Sequence, residues 1–271
     1  MVNSINTNPG AAAGLQQVHK TSTFLEKTQE RIATGKKVNG PKDDAAIYAI
    51  AQQLTGDLAG AAAVRGNLAF GEAATSVATT AGTAISDLLI EAKGKAVQAA
   101  QPGLDAASSQ ALQNDFAQIT AQIDSIAQAA SFGSTNLVKP GSQNLDVVAG
   151  ENGEKITVQA ADLTSNGLGI SGASLATPAQ AQNAVTSIDT ALKSANSAVA
   201  NFGTAAKSIE TKTTLNTQMS DTLKQGIGKL VDADLGQESA KLLAGQVRQR
   251  LGIQSLSIAN SAPRNIASLF E

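Results

Sequence analysis

Two stretches of about fifty residues place small or apolar residues at alternating intervals of three and four, and nothing else restricts the fold of this chain so tightly. One runs from Ile47 through Leu54, Ala61, Leu68, Thr75, Gly82 and Leu89 to Ala96. The other runs from Val185 through Leu192, Phe202, Ile209, Asn216 and Leu223 to Leu230. Such spacing gathers one narrow stripe on one side of an α-helix. A helix of that length spans about 80 Å at 1.5 Å per residue, so only another long helix can cover its stripe. The chain is 42% hydrophobic but only 3% aromatic, with no Trp and one Tyr. A thick globular core is therefore not expected. Ala and Gly let helices approach closely, which suits a thin bundle.

The punctuation between these stretches sets the order of elements. The opening MVNSINTNPGAAAG is polar, small and broken by Gly, and reads as extended, or disordered in isolation. From about Ala11 to Thr34 a shorter helix carries Leu15, Val18, Ser22, Leu25, Gln29 and Ile32 on one side. Gly35 suits its C-terminus, Asn39-Gly40-Pro41 forms a turn, and Asp43 or Asp44 can cap the first long helix. Pro102-Gly103 breaks that helix, and a third, from Asp105 to Ala130, bears Leu112, Phe116, Ile119 and Ile123. From Ser131 to Leu175 the period changes. LDVVA and KITVQA alternate in polarity around Gly150-Glu151-Asn152-Gly153, which reads as a hairpin loop. Thr177 and Pro178 then suit an N-cap and first helical position.

The last forty residues differ from an ordinary surface helix. An Asp at 232 or 234 can cap them, and two apolar seams follow. Ala240, Leu243, Val247, Leu251 and Ile258 line one; Leu235, Leu242, Ile253 and Leu256 line the other. A helix covered by one neighbour needs one seam. Two seams at a chain end suggest packing on its own N-terminal helix and on other copies of the chain. The expected fold is mainly α: a long antiparallel helical rod or coiled-coil bundle, a small β-hairpin insert at its far tip or outer side, and paired terminal helices. The expected boundaries are 1–38 for the N-terminal helix, 39–230 for the rod with its insert at about 131–176, and 231–271 for the C-terminal helix.

Several function classes lose support. Net charge is −2 with Lys and Arg dispersed, so no basic stripe for nucleic acid exists. The absence of Cys removes thiol catalysis and Cys-ligated metals. No apolar run approaches the ~18 residues of a membrane span, and no signal-peptide pattern opens the chain. His19 is the only His and belongs to no metal motif. Asp43-Asp44 reads as helix capping rather than a carboxylate pair. Lys93-Gly94-Lys95 lacks the spacing and the preceding strand of a phosphate loop. No catalytic residue, cofactor or metal is expected. The Ser/Thr-rich stretches Ser131–Thr135 and Thr164–Ser174 read as polar loops, with O-glycosylation as the alternative.

Three segments carry a family resemblance, in order and at matching ends. They are INTNPGAAAGL with RIATGKKVNGPKDDAAIYAIAQQL, FGSTNL near Phe132, and DADLGQESAKL with QSLSIANSAPRNIASLF. Over almost its whole length the chain resembles short bacterial flagellins that lack large outer domains. The resemblance implies a structural subunit that polymerises into the extracellular flagellar filament for motility. It also implies export in an unfolded state through the flagellar type III apparatus, with an uncleaved N-terminal signal. The implied partners are other copies, other flagellins, an export chaperone, and the cap and hook-associated proteins. The residues expected to build the terminal coiled coil and the polymer contacts are Leu15, Val18, Leu25, Ile32, Leu235, Leu242, Leu243, Val247, Leu251, Ile253, Leu256, Ile258 and Phe270. A hook–filament junction protein and a non-flagellar helical chaperone or adaptor are the alternatives.

Two departures stand out. The chain ends in Glu271, where many family members end in Arg. In enteric relatives an innate immune receptor reads Arg-x-Arg-Glu-Leu-x-Val-Gln. The aligned run from Glu91 to Gln98 keeps only Val97 and Gln98, with Lys93 for an Arg, which implies weak or absent recognition.

Overall fold

The computed structural model describes residues 7–267. Among them the helices are α1 (Pro9–Thr34), α2 (Ala45–Ala99), α3 (Ala106–Ala129), α4 (Pro178–Val231) and α5 (Leu235–Ala267). Between α3 and α4 lie two antiparallel hairpins. The first pairs β1 (Ser131–Phe132) with β2 (Thr135–Asn136), and the second pairs β3 (Leu145–Val148) with β4 (Lys155–Val158). The mainly α fold with a small β insert is as expected. Residues fall into two compact units, one of Asp57–Asp221 and one of the segments on either side of it.

In the Asp57–Asp221 unit the long stripes face each other. A methyl group on Gly82 of α2 would come within 2.7 Å of Val199 Cγ2 on α4. Ser86 Oγ donates to Asn196 Oδ1 at 2.9 Å, and Lys93 pairs with Asp189 at 2.6 Å. Numbers rise on one helix as they fall on the other, so the pairing is antiparallel. Ala92, Ala96, Ala191 and Ala195 are fully buried beside Ile85, Leu89, Ile188 and Phe202. Small side chains thus bring the helices close, and isolated large ones fill the remaining space. Helix α3 adds Phe116, Ile119 and Ile123 to this core. Asp115 of α3 reaches Lys95 at 2.6 Å, and this hydrogen bond raises the Lys95 pKa.

The polar segment after α3 is held by its own side chains. Asn136 is buried; its Nδ2 donates to Ala127 O at 2.8 Å, and its Oδ1 accepts from Val138 N and Lys139 N. One side chain therefore closes the end of α3 and turns the chain away from it. Gly133, at φ 59°, supplies the first central position of the tight β1–β2 turn, where only glycine is unstrained. The Gly150–Gly153 loop joins β3 to β4, closed by Ala149 N donating to Glu154 O at 2.7 Å. This hairpin lies against the side of α2, with Val147 over Gly71 and Glu151 over Gly60. It occupies the flank of the unit rather than a tip.

The other unit contains α1, the start of α2, the end of α4, and α5. Lys37 N donates to Val231 O at 2.7 Å and Ala233 N to Gly35 O at 2.8 Å, tying the two connecting loops together. Val38, Ala51 and Val231 form a small core there, with Ile47 and Tyr48 packed on it. The three–four spacing between Ile47 and Leu54 puts Ile50 in the stripe, but the stripe drifts at this point: Ala51 is buried, whereas Ile50 is 51% exposed. Val38 draws the neighbouring face of the helix inward. Asp44 caps α2 through Ala46 N and Ile47 N, both at 3.0 Å. Asp43 instead holds the turn, accepting from Asn39 N and Gly40 N, and the Asn39 bond lowers its pKa below the ordinary 3.8. Because folding lowers that pKa, the turn's contribution is complete above this value and fades as pH falls through the folded one.

The N-terminal expectation needs correction. Helix α1 begins at Pro9, not Ala11, so residues 9–14 are helical rather than extended. Asn8 is the N-cap, its Oδ1 accepting from Ala11 N at 3.0 Å, and Pro9 occupies the first position, where its missing N–H costs nothing.

The glycines of α2 divide by what surrounds them. A methyl group at Gly71 would lie 2.5 Å from Val147 Cγ2, whereas nothing lies within 4 Å of one at Gly66. Gly71→Ala is expected to destabilise the monomer by about 1–3 kcal/mol through overpacking. Gly66→Ala is expected to stabilise it by about 0.5–1 kcal/mol through helix propensity. Urea unfolding of both variants checks the opposite signs.

Candidate functional site

Helices α1 and α5 form an antiparallel pair in which large residues of one sit over small residues of the other. A methyl group at Gly245 would come within 2.6 Å of Leu25 Cδ2, one at Gly252 within 3.1 Å of Val18 Cγ2, and one at Gly14 within 3.3 Å of Leu256 Cδ1. Thr21 and Thr28 are buried in the same seam, and each turns its hydroxyl back to its own helix, onto Gln17 O and Phe24 O. That leaves their methyl groups for the contact. Gln249 Nε2 donates to Ser22 Oγ at 3.3 Å in the middle of the pair.

Polar contacts close both ends. At one, the buried Glu238 meets Arg31 at 3.6 Å and Lys241 at 2.8 Å. At the other, Asn8 Nδ2 donates to Ala259 O at 2.7 Å. Asp234 caps α5 through Gly236 N and Gln237 N.

The structure sorts the residues anticipated for this region. Leu25 is buried in the seam, Val18 and Ile32 are half-buried, and Leu242 and Leu256 are half-buried on α5. Leu15 lies off the seam at 48% exposure, because Gly14 takes the position against Leu256. Leu235 and Ile253, expected with Leu242 and Leu256, remain exposed. Leu243, Val247, Leu251 and Ile258 form the most exposed apolar stripe on α5, each between 57% and 65% accessible. Phe270 lies outside the described residues. What the sequence reading missed is the role of glycine. Gly14, Gly245 and Gly252 are seam positions, but a search for apolar side chains does not register a residue without one. The signal was their spacing: Gly245 and Gly252 stand seven apart, in step with Val18 and Leu25.

Among the described residues no three His, Cys, Asp or Glu are grouped to hold a metal ion, and no helix is long and apolar enough to cross a membrane. His19 is exposed on α1. Thr164 and Ser165 are buried, bonded to Asp162 and Asp124, so these two are closed to a glycan. Lys93 and Lys95 are each engaged by a carboxylate of the same chain.

What the molecule offers is an apolar helical face beside a tightly paired seam, which is the equipment of a structural subunit. The comparisons give that class a family. The model of the bacterial flagellin N-terminal helical region matches residues 5–140, and that of the C-terminal helical region matches residues 185–270. The chain is 40% identical over 270 residues to flagellin FljM of Caulobacter vibrioides, covering 99% of each. It is 33% identical over 280 residues to a flagellin of Brucella melitensis, covering 98% of this chain and 99% of that one. In fold it is similar to the crystal structure of Bacillus cereus flagellin, with a TM-score of 0.51 and 22% identity over 55% of this chain and 88% of that one. The chain belongs to the bacterial flagellins, a structural family, and is a filament subunit of the flagellum.

If the seam is as tight as the glycines indicate, a large side chain there must separate the helices. Filaments of a Ser22→Cys/Gln249→Cys variant are expected to crosslink within a subunit when treated with a short thiol reagent. Adding Gly245→Leu is expected to remove most of that product on a denaturing gel.

Proposed function

We propose that the chain polymerises through its terminal helix pair, with the α1–α5 seam formed inside each subunit and the Leu243–Val247–Leu251–Ile258 stripe packed against neighbouring subunits. The observation that carries this is the stripe itself: four aliphatic side chains more than half exposed on the helix whose other side is already covered. An apolar patch of that kind on a soluble subunit marks a contact surface. Leu15, Leu235 and Ile253 are exposed as well and offer further apolar contact on the same two helices. The reading places the protein outside the cell in the flagellar filament. Other flagellins, the export apparatus, an export chaperone, and the cap and hook-associated proteins are its partners.

The energetics favour coupling order to assembly. Burying each aliphatic side chain contributes about 1.5–3 kcal/mol, while fixing each terminal residue costs about 1–2 kcal/mol. The seam alone is narrow and rich in Gly and Thr, so the neighbour contacts supply what the pair lacks. The terminal helices therefore complete their folding when a subunit joins the filament.

Val247→Asn/Leu251→Asn is expected to raise the critical concentration for seeded growth about a hundredfold or more, since each 1.4 kcal/mol lost is a factor of ten. Melting of the Asp57–Asp221 unit should be unchanged, and electron microscopy with light scattering reads the growth. In the free monomer, hydrogen exchange of residues 9–34 and 235–267 is expected to be fast, slowing by orders of magnitude in filaments. Full protection in the monomer would overturn the coupling. For the receptor that reads enteric flagellins, purified monomer is expected to give a weak or absent response in reporter cells.

A further inference from the structure

The apolar seam of the terminal pair does not by itself fix its alignment. Val18 and Leu25 are seven residues apart, and so are the glycines they cover, Gly252 and Gly245. Sliding α1 by seven residues one way would place Leu25 over Gly252 and Val18 over Ala259. Sliding it the other way would place Val18 over Gly245, at the cost of setting Leu25 over the buried Glu238. In each case a large residue still meets a small one. Something else must select the register.

Asn8 is suited to that task. Its Oδ1 accepts from Ala11 N at 3.0 Å, capping α1, while its Nδ2 donates to Ala259 O at 2.7 Å. In a helix the carbonyl of residue 259 is normally taken by the N–H of residue 263. Residue 263 is proline and has no N–H, yet α5 continues through it to Ala267. Pro263 is the only proline in α5, so Ala259 has the one carbonyl in the body of this helix that lacks its own donor. We propose that Asn8 is a positioning residue for assembly: it seats α1 on α5 by taking the Ala259 carbonyl that Pro263 leaves free, and so selects one of the registers the seam allows. Pro263, four residues further on, marks the address without making the contact.

The inference rests on the reading of the terminal pair as the assembling element, and the test separates the two. Asn8→Asp keeps the cap, since aspartate caps as well as asparagine, but has no hydrogen to give the carbonyl. Pro263→Ala and Pro263→Gln restore the missing backbone N–H, so the carbonyl no longer needs Asn8. Purified wild type and variants are compared for critical concentration on filament seeds. Asn8→Asp is expected to raise it about five- to tenfold, in line with one lost hydrogen bond and an exposed acceptor facing a carboxylate. In either Pro263 background the same substitution is expected to change it about twofold or less. Equal fold-changes in all backgrounds, or no change from Asn8→Asp in the wild type, would overturn the carbonyl capture while leaving the filament reading intact. Wild type that does not elongate seeds would overturn the filament reading instead. Where neither Pro263 variant elongates, the Ser22→Cys/Gln249→Cys crosslinking yield serves in its place. A yield lost in Asn8→Asp and recovered on adding Pro263→Ala supports the capture; a yield not recovered overturns it.

Discussion

Helices lined with alanine and glycine hold one another only at short range, and every contact described above follows from that limit. Dispersion falls off steeply with a gap of even half an ångström, so a face without bulk must meet its partner closely or gain nothing. Between α2 and α4 the solution is layers of fully buried alanine interrupted by Ile85, Leu89 and Phe202. Between α1 and α5 it is a large residue set over a glycine, repeated along the seam. Both pairs sacrifice helix propensity at Gly82, Gly245 and Gly252 for closer approach. In return they build long interfaces from very little side-chain volume.

The same economy explains why polar groups carry so much of the specificity. A seam of small residues is permissive about alignment, whereas a carboxylate or an amide is not. Glu238 between Arg31 and Lys241, Asn8 on Ala259, Ser86 on Asn196, and Asn136 at the end of α3 each make contacts that hold in one alignment. These contacts contribute modestly to stability, since a typical hydrogen bond nets about 1 kcal/mol. Their larger effect is to penalise alternatives that would leave a buried polar atom without a partner.

Much of this was legible in the sequence because helical periodicity is a strong signal over fifty residues. The stripe from Ala61 to Ala96, the Gly150–Gly153 loop and the Thr177-Pro178 helix start all appear where the residue pattern put them. Legibility failed where the deciding residue has no apolar side chain to count. Gly14 displaced Leu15 from the seam, and Ala51 displaced Ile50 once Val38 packed beside it. The helical start at Asn8-Pro9 was hidden by the polar, glycine-broken composition around it. The two sides of α5 were visible as two seams, but only coordinates could assign Leu242 and Leu256 to the covered side and leave Leu235 and Ile253 open.

A repeat of seven in the terminal seam makes its errors discrete. Seven helical residues advance about 10 Å, and no smaller offset sets Leu25 or Val18 over Gly245 or Gly252. A pair joined out of step in the direction that sets Leu25 over Gly252 would therefore be wrong by a whole stride and still have a large residue over a glycine. It could not creep back by small adjustments, because every partial shift drives Leu25 or Val18 into a backbone that glycine no longer opens. Correction would require the two helices to part completely and meet again, so the proofreading time of such a joint is set by its dissociation, not by local sliding.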